Sequence, residues 1–337
     1  MAPIMTLAQP KFCSRTRAAL GILQFSIALL LSACNDSPQS GDSSASEDGS
    51  TDENESDASS ESNSDPETGS SDESTSDDES DSTIPSDVPE MVEIPAGSFM
   101  MGCDEETAPV ETGCYQKTLP YHEVELSAYA IDTFEVTIED YEECVTDGKC
   151  GPALEDCLPD PPPNAPRTCV SWFNAQAYCM YRGKRLPTEA EWERAARGDS
   201  TDVFPWGNKI PTNCESDAMY GKRVTNTMVE PWCGTGKAQP VGSRPHDRSP
   251  YGVYDMAGSV SEWVQDFYDE KYYANSPKKD PQGPEMGGEG TATARVQRGA
   301  SAGFDPGEDV ELQLTWRWDA DQYGGSSHSG FRCAKSL

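Results

Sequence analysis

Gly183-Lys-Arg-Leu-Pro-Thr-Glu-Ala-Glu-Trp-Glu-Arg-Ala-Ala-Arg-Gly198 is the stretch whose reading decides the fold. Thr188 is placed to cap a helix, Glu191 to return a hydrogen bond to the cap's own amide, and Gly198 to end it. The predicted helix buries Ala190, Trp192, Ala195 and Ala196. One large ring among small residues lets its backbone sit close to whatever it packs on. Arg185, Glu189, Glu193, Arg194 and Arg197 are expected to face water or one another.

The 337 residues around this helix divide by composition into three parts. Residues 1 to 34 carry Lys11, Arg15 and Arg17, then an apolar run from Ala18 to Leu31, then Leu31-Ser32-Ala33-Cys34. A positive flank, a short apolar core and small residues before a cysteine describe a secretory signal, too short to be read as a membrane span. The pattern resembles the bacterial lipobox, which implies that Cys34 is acylated and becomes the mature N-terminus. Residues 35 to 90 hold 19 acidic residues, no Lys or Arg and almost no large apolar side chain. Such a segment cannot bury enough surface to offset its ordering entropy, so it reads as a disordered acidic Ser/Asp/Glu linker. Flexible-coil statistics give it an end-to-end distance of about 40 Å. The net charge of −34 is therefore concentrated in the tether. The remainder is still acidic, which argues against nucleic acid as a partner.

The folded part runs from Met91 to Leu337. Twelve cysteines, less Cys13 in the signal and Cys34 at the lipid site, leave ten. With a secretion signal, an even number predicts up to five disulfides and an oxidising compartment. Zinc is excluded by the lack of any C-x-x-C pair and by only three histidines, His122, His246 and His328. Val92 and Ile94, then Phe99 and Met101, alternate across a Pro-Ala-Gly turn and predict a hairpin; His122 to Phe134 predicts a further pair of strands. Thr137 and Ser171 cap two more helices, ended by Gly148 and Gly183. Between them Cys144, Cys150, Cys157 and Cys169 lie close enough to staple a Pro-rich loop locally, with three pairings open. Cys103 pairs with Cys114, and Cys214 with Cys233, by proximity alone. Arg295 to Ser301 and Gly330 to Ala334 read as terminal core strands. Regular structure is sparse, and the pattern supports a loop-rich α+β domain pinned by disulfides.

Six blocks then occur in one order: I-P-A-G-S-F-M-M-G from Ile94, S-W-F-N-A-Q-A-Y-C from Ser171, G-K-R-L-P-T-E-A-E-W-E from Gly183, P-W-G-N from Pro205, Y-G-V-Y-D-M-A-G from Tyr251 and G-F-R-C-A from Gly330. Together they resemble the sulfatase-modifying factor family of formylglycine-generating enzymes over Met91 to Leu337. The resemblance implies a C-type-lectin-like fold and a disulfide between Cys179 and Cys333. It also implies calcium on the side chains of Asp255 and Glu262 and the carbonyls of Gly258 and Val260. Asn213 and the carbonyl of Cys214 would contribute to a second calcium site.

The enzymes of that family oxidise a cysteine in a C-x-P-x-R peptide, using oxygen and a copper(I) ion held by two cysteine thiolates. Soft sulfur ligands suit copper(I) and leave it able to activate oxygen. Gap-free alignment from Arg298 to Cys333 puts Phe304 and Asp309 at the two copper positions, and Ser261 where the enzymes have a tryptophan. Neither an aromatic ring nor a lone carboxylate replaces a thiolate, so copper is not expected. Two functions follow. One is a non-catalytic envelope lipoprotein, anchored in the outer membrane, that binds or scaffolds an envelope protein or surface ligand. The alternative is an oxidase converting a protein cysteine to formylglycine by another route. Hydroxylation or C–S bond formation would need clustered histidines, which three scattered ones do not provide.

Overall fold

The computed structural model describes residues 88–108, 113–154, 161–208, 222–224, 229–231, 239–301 and 312–337. Cys34, the acidic linker up to residue 87, Cys157, Asn213, Cys214, Cys233, Phe304 and Asp309 lie outside them.

Strands β1 (Met91–Ile94) and β2 (Gly97–Met101) do not form a hairpin with each other. Each pairs antiparallel with a later strand, β1 with β4 (Tyr129–Asp132) and β2 with β3 (His122–Leu126). The register runs on unbroken, with Ile94 opposite Tyr129 and Gly97 opposite Leu126. The Pro95-Ala96 step therefore bends one long ribbon where a reversal was expected, and Pro95, having no N–H to give, sits in the gap between the two ladders. β3 and β4 are likewise strands of different sheets.

The capped helices form where expected. Helix α1 (Ile138–Thr146) starts at Thr137, whose side chain accepts from the Asp140 amide. Helix α2 (Trp172–Tyr181) starts at Ser171 in the same way. Helix α3 (Glu189–Arg197) has the full reciprocal box of Thr188 and Glu191, and Gly198 ends it at φ 66°. Beyond it come a short pair, β5 (Lys222–Val224) with β6 (Val229–Pro231), and a four-stranded sheet. That sheet orders β10 (Ser329–Phe331), β7 (Ser261–Phe267), β8 (Ala294–Arg298) and β9 (Arg317–Asp321); β10 runs parallel to β7 and the other neighbours are antiparallel. The last strand, β11 (Ala334–Ser336), returns to β4, so the first and last strands of the domain flank the same central one. Cys179 on α2 is bonded to Cys333 between β10 and β11, closing a loop for which chain-entropy models give about 5 kcal/mol. Cys103 is bonded to Cys114, and Cys144 to Cys150; Cys169 is also in a disulfide.

Helix α3 packs against β2, β3, β7 and β8. Its apolar face is the expected one, with Ala190, Trp192, Ala195 and Ala196 buried. The charged face differs from expectation. Glu189, Glu191, Glu193, Arg194 and Arg197 are buried too. Glu189 Oε1 accepts from Arg298 Nη1 at 2.8 Å and Arg317 Nε at 2.6 Å, while its Oε2 accepts from Arg317 Nη2 at 2.8 Å. Glu193 accepts from Arg298 Nη2 through one oxygen, and from the Gly102 amide and Arg197 Nη1 through the other. Arg194 donates to the Gly97 carbonyl, and a Cβ at Gly97 would stand 2.8 Å from the Arg194 guanidinium, which would have to shift to admit it. Distant strands supply these partners, which is why helical periodicity could not place them. Only Arg185 of the predicted solvent-facing set stays partly exposed, in a bidentate pair with Glu191.

Replacing one member of a buried ion network strands its partners without water. Glu189→Gln is therefore expected to cost about 3–5 kcal/mol, measured as a lowered urea midpoint. The double replacement Glu189→Leu with Arg317→Met is expected to be milder than the single one, because it removes both ends of the strongest pair.

Candidate functional site

The loop from Asp255 to Glu262 leads into β7 and is shaped by a second buried charge cluster. Asp255 and Ser259 take φ of 61° and 63°, a left-handed conformation that Asp tolerates better than most residues. Asp247 holds the turn: its carbonyl accepts from the Asp255 amide at 2.8 Å and its carboxylate from the Ala257 amide at 3.0 Å. Asp255 Oδ2 accepts from the Gly242 amide at 2.6 Å. Arg332, on the segment after β10, donates to Glu262 through Nε at 2.8 Å and Nη2 at 2.7 Å, and Trp192 Nε1 adds a third donor at 2.9 Å.

The Glu262 carboxylate, expected among the calcium ligands, accepts these donors and so also joins α3 to the C-terminal strands. The uncommitted carboxylate belongs to Glu135, which sequence reasoning passed over because it lies 120 positions before Asp255. Glu135 is 2% exposed, neither of its oxygens meets a donor, and Arg332 Nη2 comes no nearer than 3.9 Å. Asp255 is a near neighbour whose charge helps to raise Glu135.

Four buried carboxyls, Glu135, Asp247, Asp255 and Glu262, therefore surround one guanidinium. Burial, then the charge of Glu135, pushes Asp247 up to about 7. Burial, then the charge of Asp247, does the same to Asp255. Glu135 is raised by burial and by Asp255. Hard oxygens with an uncompensated negative charge suit a divalent cation such as calcium. Among the described residues no three acidic, His or Cys side chains make a complete metal cage, so backbone carbonyls would have to finish the set.

Where the copper thiolates were sought, the flanks of the 302–311 segment are described and carry none. Every described cysteine is disulfide-bonded. Ser261 donates to the His328 carbonyl at 3.0 Å and lies 3.3 Å from Gln297 Oε1, in a small polar cluster with Ser326 and Ser329. A separate pocket of about 160 Å³ opens between β4, α1 and α2, and its Lys184 is held by Glu90 and Asp132 at 2.6 and 2.7 Å.

Comparison with known proteins follows this geometry. The sulfatase-modifying factor enzyme 1-like domain matches residues 77–337. The mouse inactive C-alpha-formylglycine-generating enzyme 2 is 32% identical over 294 residues, covering 74% of this chain and 86% of its own. The formylglycine-generating enzyme of Thermomonospora curvata is 30% identical, covering 72% of this chain and 92% of its own. Among solved structures, PvdO from Pseudomonas aeruginosa superposes with a TM-score of 0.57 at 27% identity, over 75% of this chain and 96% of that one. Relatives of both kinds, catalytic and inactive, thus lie at similar distance.

A carboxyl whose pKa is raised on folding binds more protons in the folded state between its two pKa values. For Asp247 and Asp255 that window runs from the usual carboxylate range up to about 7. Their contribution is fully present at low pH and is lost as pH rises through it. In chelator, the thermal midpoint is therefore expected to fall between pH 5 and 8. Replacing both by Asn should flatten that fall.

Proposed function

This chain belongs to the sulfatase-modifying factor family, and we propose that it is a binding or scaffolding member rather than an oxidase. The observation that carries this reading is the pair Phe304 and Asp309, which stand where the enzymes present two copper-binding thiolates. The donor set does not fit copper(I), which needs soft sulfur, and the described cysteines are engaged in disulfides. No oxidative step is therefore derived for this chain. The lipobox-like Leu31 to Cys34 and the 35–90 linker support a lipid anchor and a long reach from an outer membrane toward an envelope protein or surface ligand. The disulfide-rich domain accords with an oxidising compartment.

Calcium is the ion this reading expects, held by the side chains of Asp255 and Glu262 with the carbonyls of Gly258 and Val260, and with Glu135 adding negative charge beside them; its role would be to neutralise the buried carboxylates and fix the loop before β7. Arg332 holds Glu262 from behind. Asn213 and Cys214 would supply the second, weaker site.

Incubating copper-loaded protein with a C-x-P-x-R peptide in air is expected to give no mass loss at the peptide cysteine. Turnover would overturn the non-catalytic reading in favour of the oxidase. Phe304→Cys with Asp309→Cys is expected to restore copper binding at most, because Ser261 also departs from the enzymes.

Calorimetry of the purified protein is expected to register calcium uptake that Asp255→Asn with Glu135→Gln removes. No uptake by the parent protein, and no loss of thermal stability in chelator, would eliminate the ion from this account.

A further inference from the structure

Two indole rings face one ammonium group, and a phenol packs on one of them, where the short helical turn Gln116–Thr118 meets the start of β9. Tyr115 meets Trp316 nearly edge-on, with centroids 4.7 Å apart and planes at 76°. Trp316 meets Trp318 in the same manner at 5.5 Å and 72°. Lys117 Nζ lies 3.6 Å from the Trp316 ring centroid and 5.1 Å from that of Trp318. The Trp316 face is a floor with Trp318 as a wall, the positive charge sits over that floor, and Tyr115 braces Trp316 from its edge.

The rings are held from behind. Arg317, buried in the α3 network, donates through Nη1 to the Lys117 carbonyl at 3.0 Å, and Cys114 next to Tyr115 is bonded to Cys103. Trp316 is 4% exposed, and its indole N–H is buried without an acceptor, so what this residue offers is its ring face. Tyr115 is 39% exposed, while Lys117 and Trp318 are half-buried, which leaves the group open to solvent on one side.

We propose that this cage is a binding site for a quaternary or methylated ammonium group, and that Lys117 is a built-in occupant which such a ligand displaces. Ring faces attract cations, and the attraction grows as the cation sheds water. A primary ammonium is strongly hydrated and gives up water at a cost, whereas methyl groups shield the charge and add apolar contact. Displacement exchanges the Lys117 charge over the rings for a less hydrated one, while the rings, packed on one another, stay in place. The acidic excess of the domain raises the local concentration of any cation. This site does not depend on the calcium loop or on the fate of the copper positions.

Choline is the probe, followed by tryptophan fluorescence, with its neutral carbon isostere dimethylbutanol as control. Lys117→Ala is expected to bind choline about tenfold more tightly than the parent, because the competent open state no longer competes with an internal ligand. Lys117→Arg, which keeps a cation over the rings, should stay as weak as the parent. Tyr115→Leu, at an exposed position where folding is not at stake, should weaken binding in the Lys117→Ala background. Sedimentation with phosphatidylcholine vesicles, compared with free choline, distinguishes a lipid headgroup from a soluble ligand. Equal binding by Lys117→Ala and the parent, equal binding of the isostere, or no saturable choline response in Lys117→Ala would each overturn the proposal.

Discussion

The pairing of Glu189 and Glu193 with Arg298 and Arg317 is the constraint on which the rest of this domain depends. These charges are fully removed from water, and each carboxylate oxygen receives at least one donor. Charges so placed are tolerable only when their geometry is complete, because desolvating each ion costs several kcal/mol. The network therefore acts less as a source of net stability than as a condition on assembly. Helix α3 cannot bury its charged face until β8 and β9 have delivered their arginines, and those arginines cannot leave water until the helix is in place. In a domain with so little regular structure, that mutual requirement does much of the work that strand ladders do elsewhere.

Arg332 repeats the same logic in a second buried cluster that meets α3 at Trp192. It ties Glu262 to the carbonyls of Asp132, Thr133 and Tyr254, while Trp192 of α3 shares the same carboxylate. The loop from Asp255 to Glu262 is thus positioned by the fold's own electrostatics, through residues that belong to the core.

The capped helices, the Arg and Glu pairs and the Cys179–Cys333 bond together make the framework of the described domain. One framework can carry catalytic and non-catalytic members, because chemistry lives in sites placed on a fold rather than in the fold itself. Relatives of both kinds match this chain at similar identity.

The amino-acid order alone determined a good deal. Thr188, Glu191 and Gly198 mark the ends of α3 because capping is local chemistry, and Ala190, Trp192, Ala195 and Ala196 mark its apolar side because periodicity is local too. The six blocks identified the family, and the position of Phe304 and Asp309 followed from counting. What only the tertiary structure decided concerns pairs far apart in the chain. Whether Pro95 turns a hairpin or bends a ribbon depends on β3 and β4, some thirty residues away. Whether Glu189 faces water depends on Arg298 and Arg317, and whether Glu262 meets a guanidinium depends on Arg332. A charged side chain carries no mark of its own burial; the partner that makes burial tolerable is brought to it by the fold.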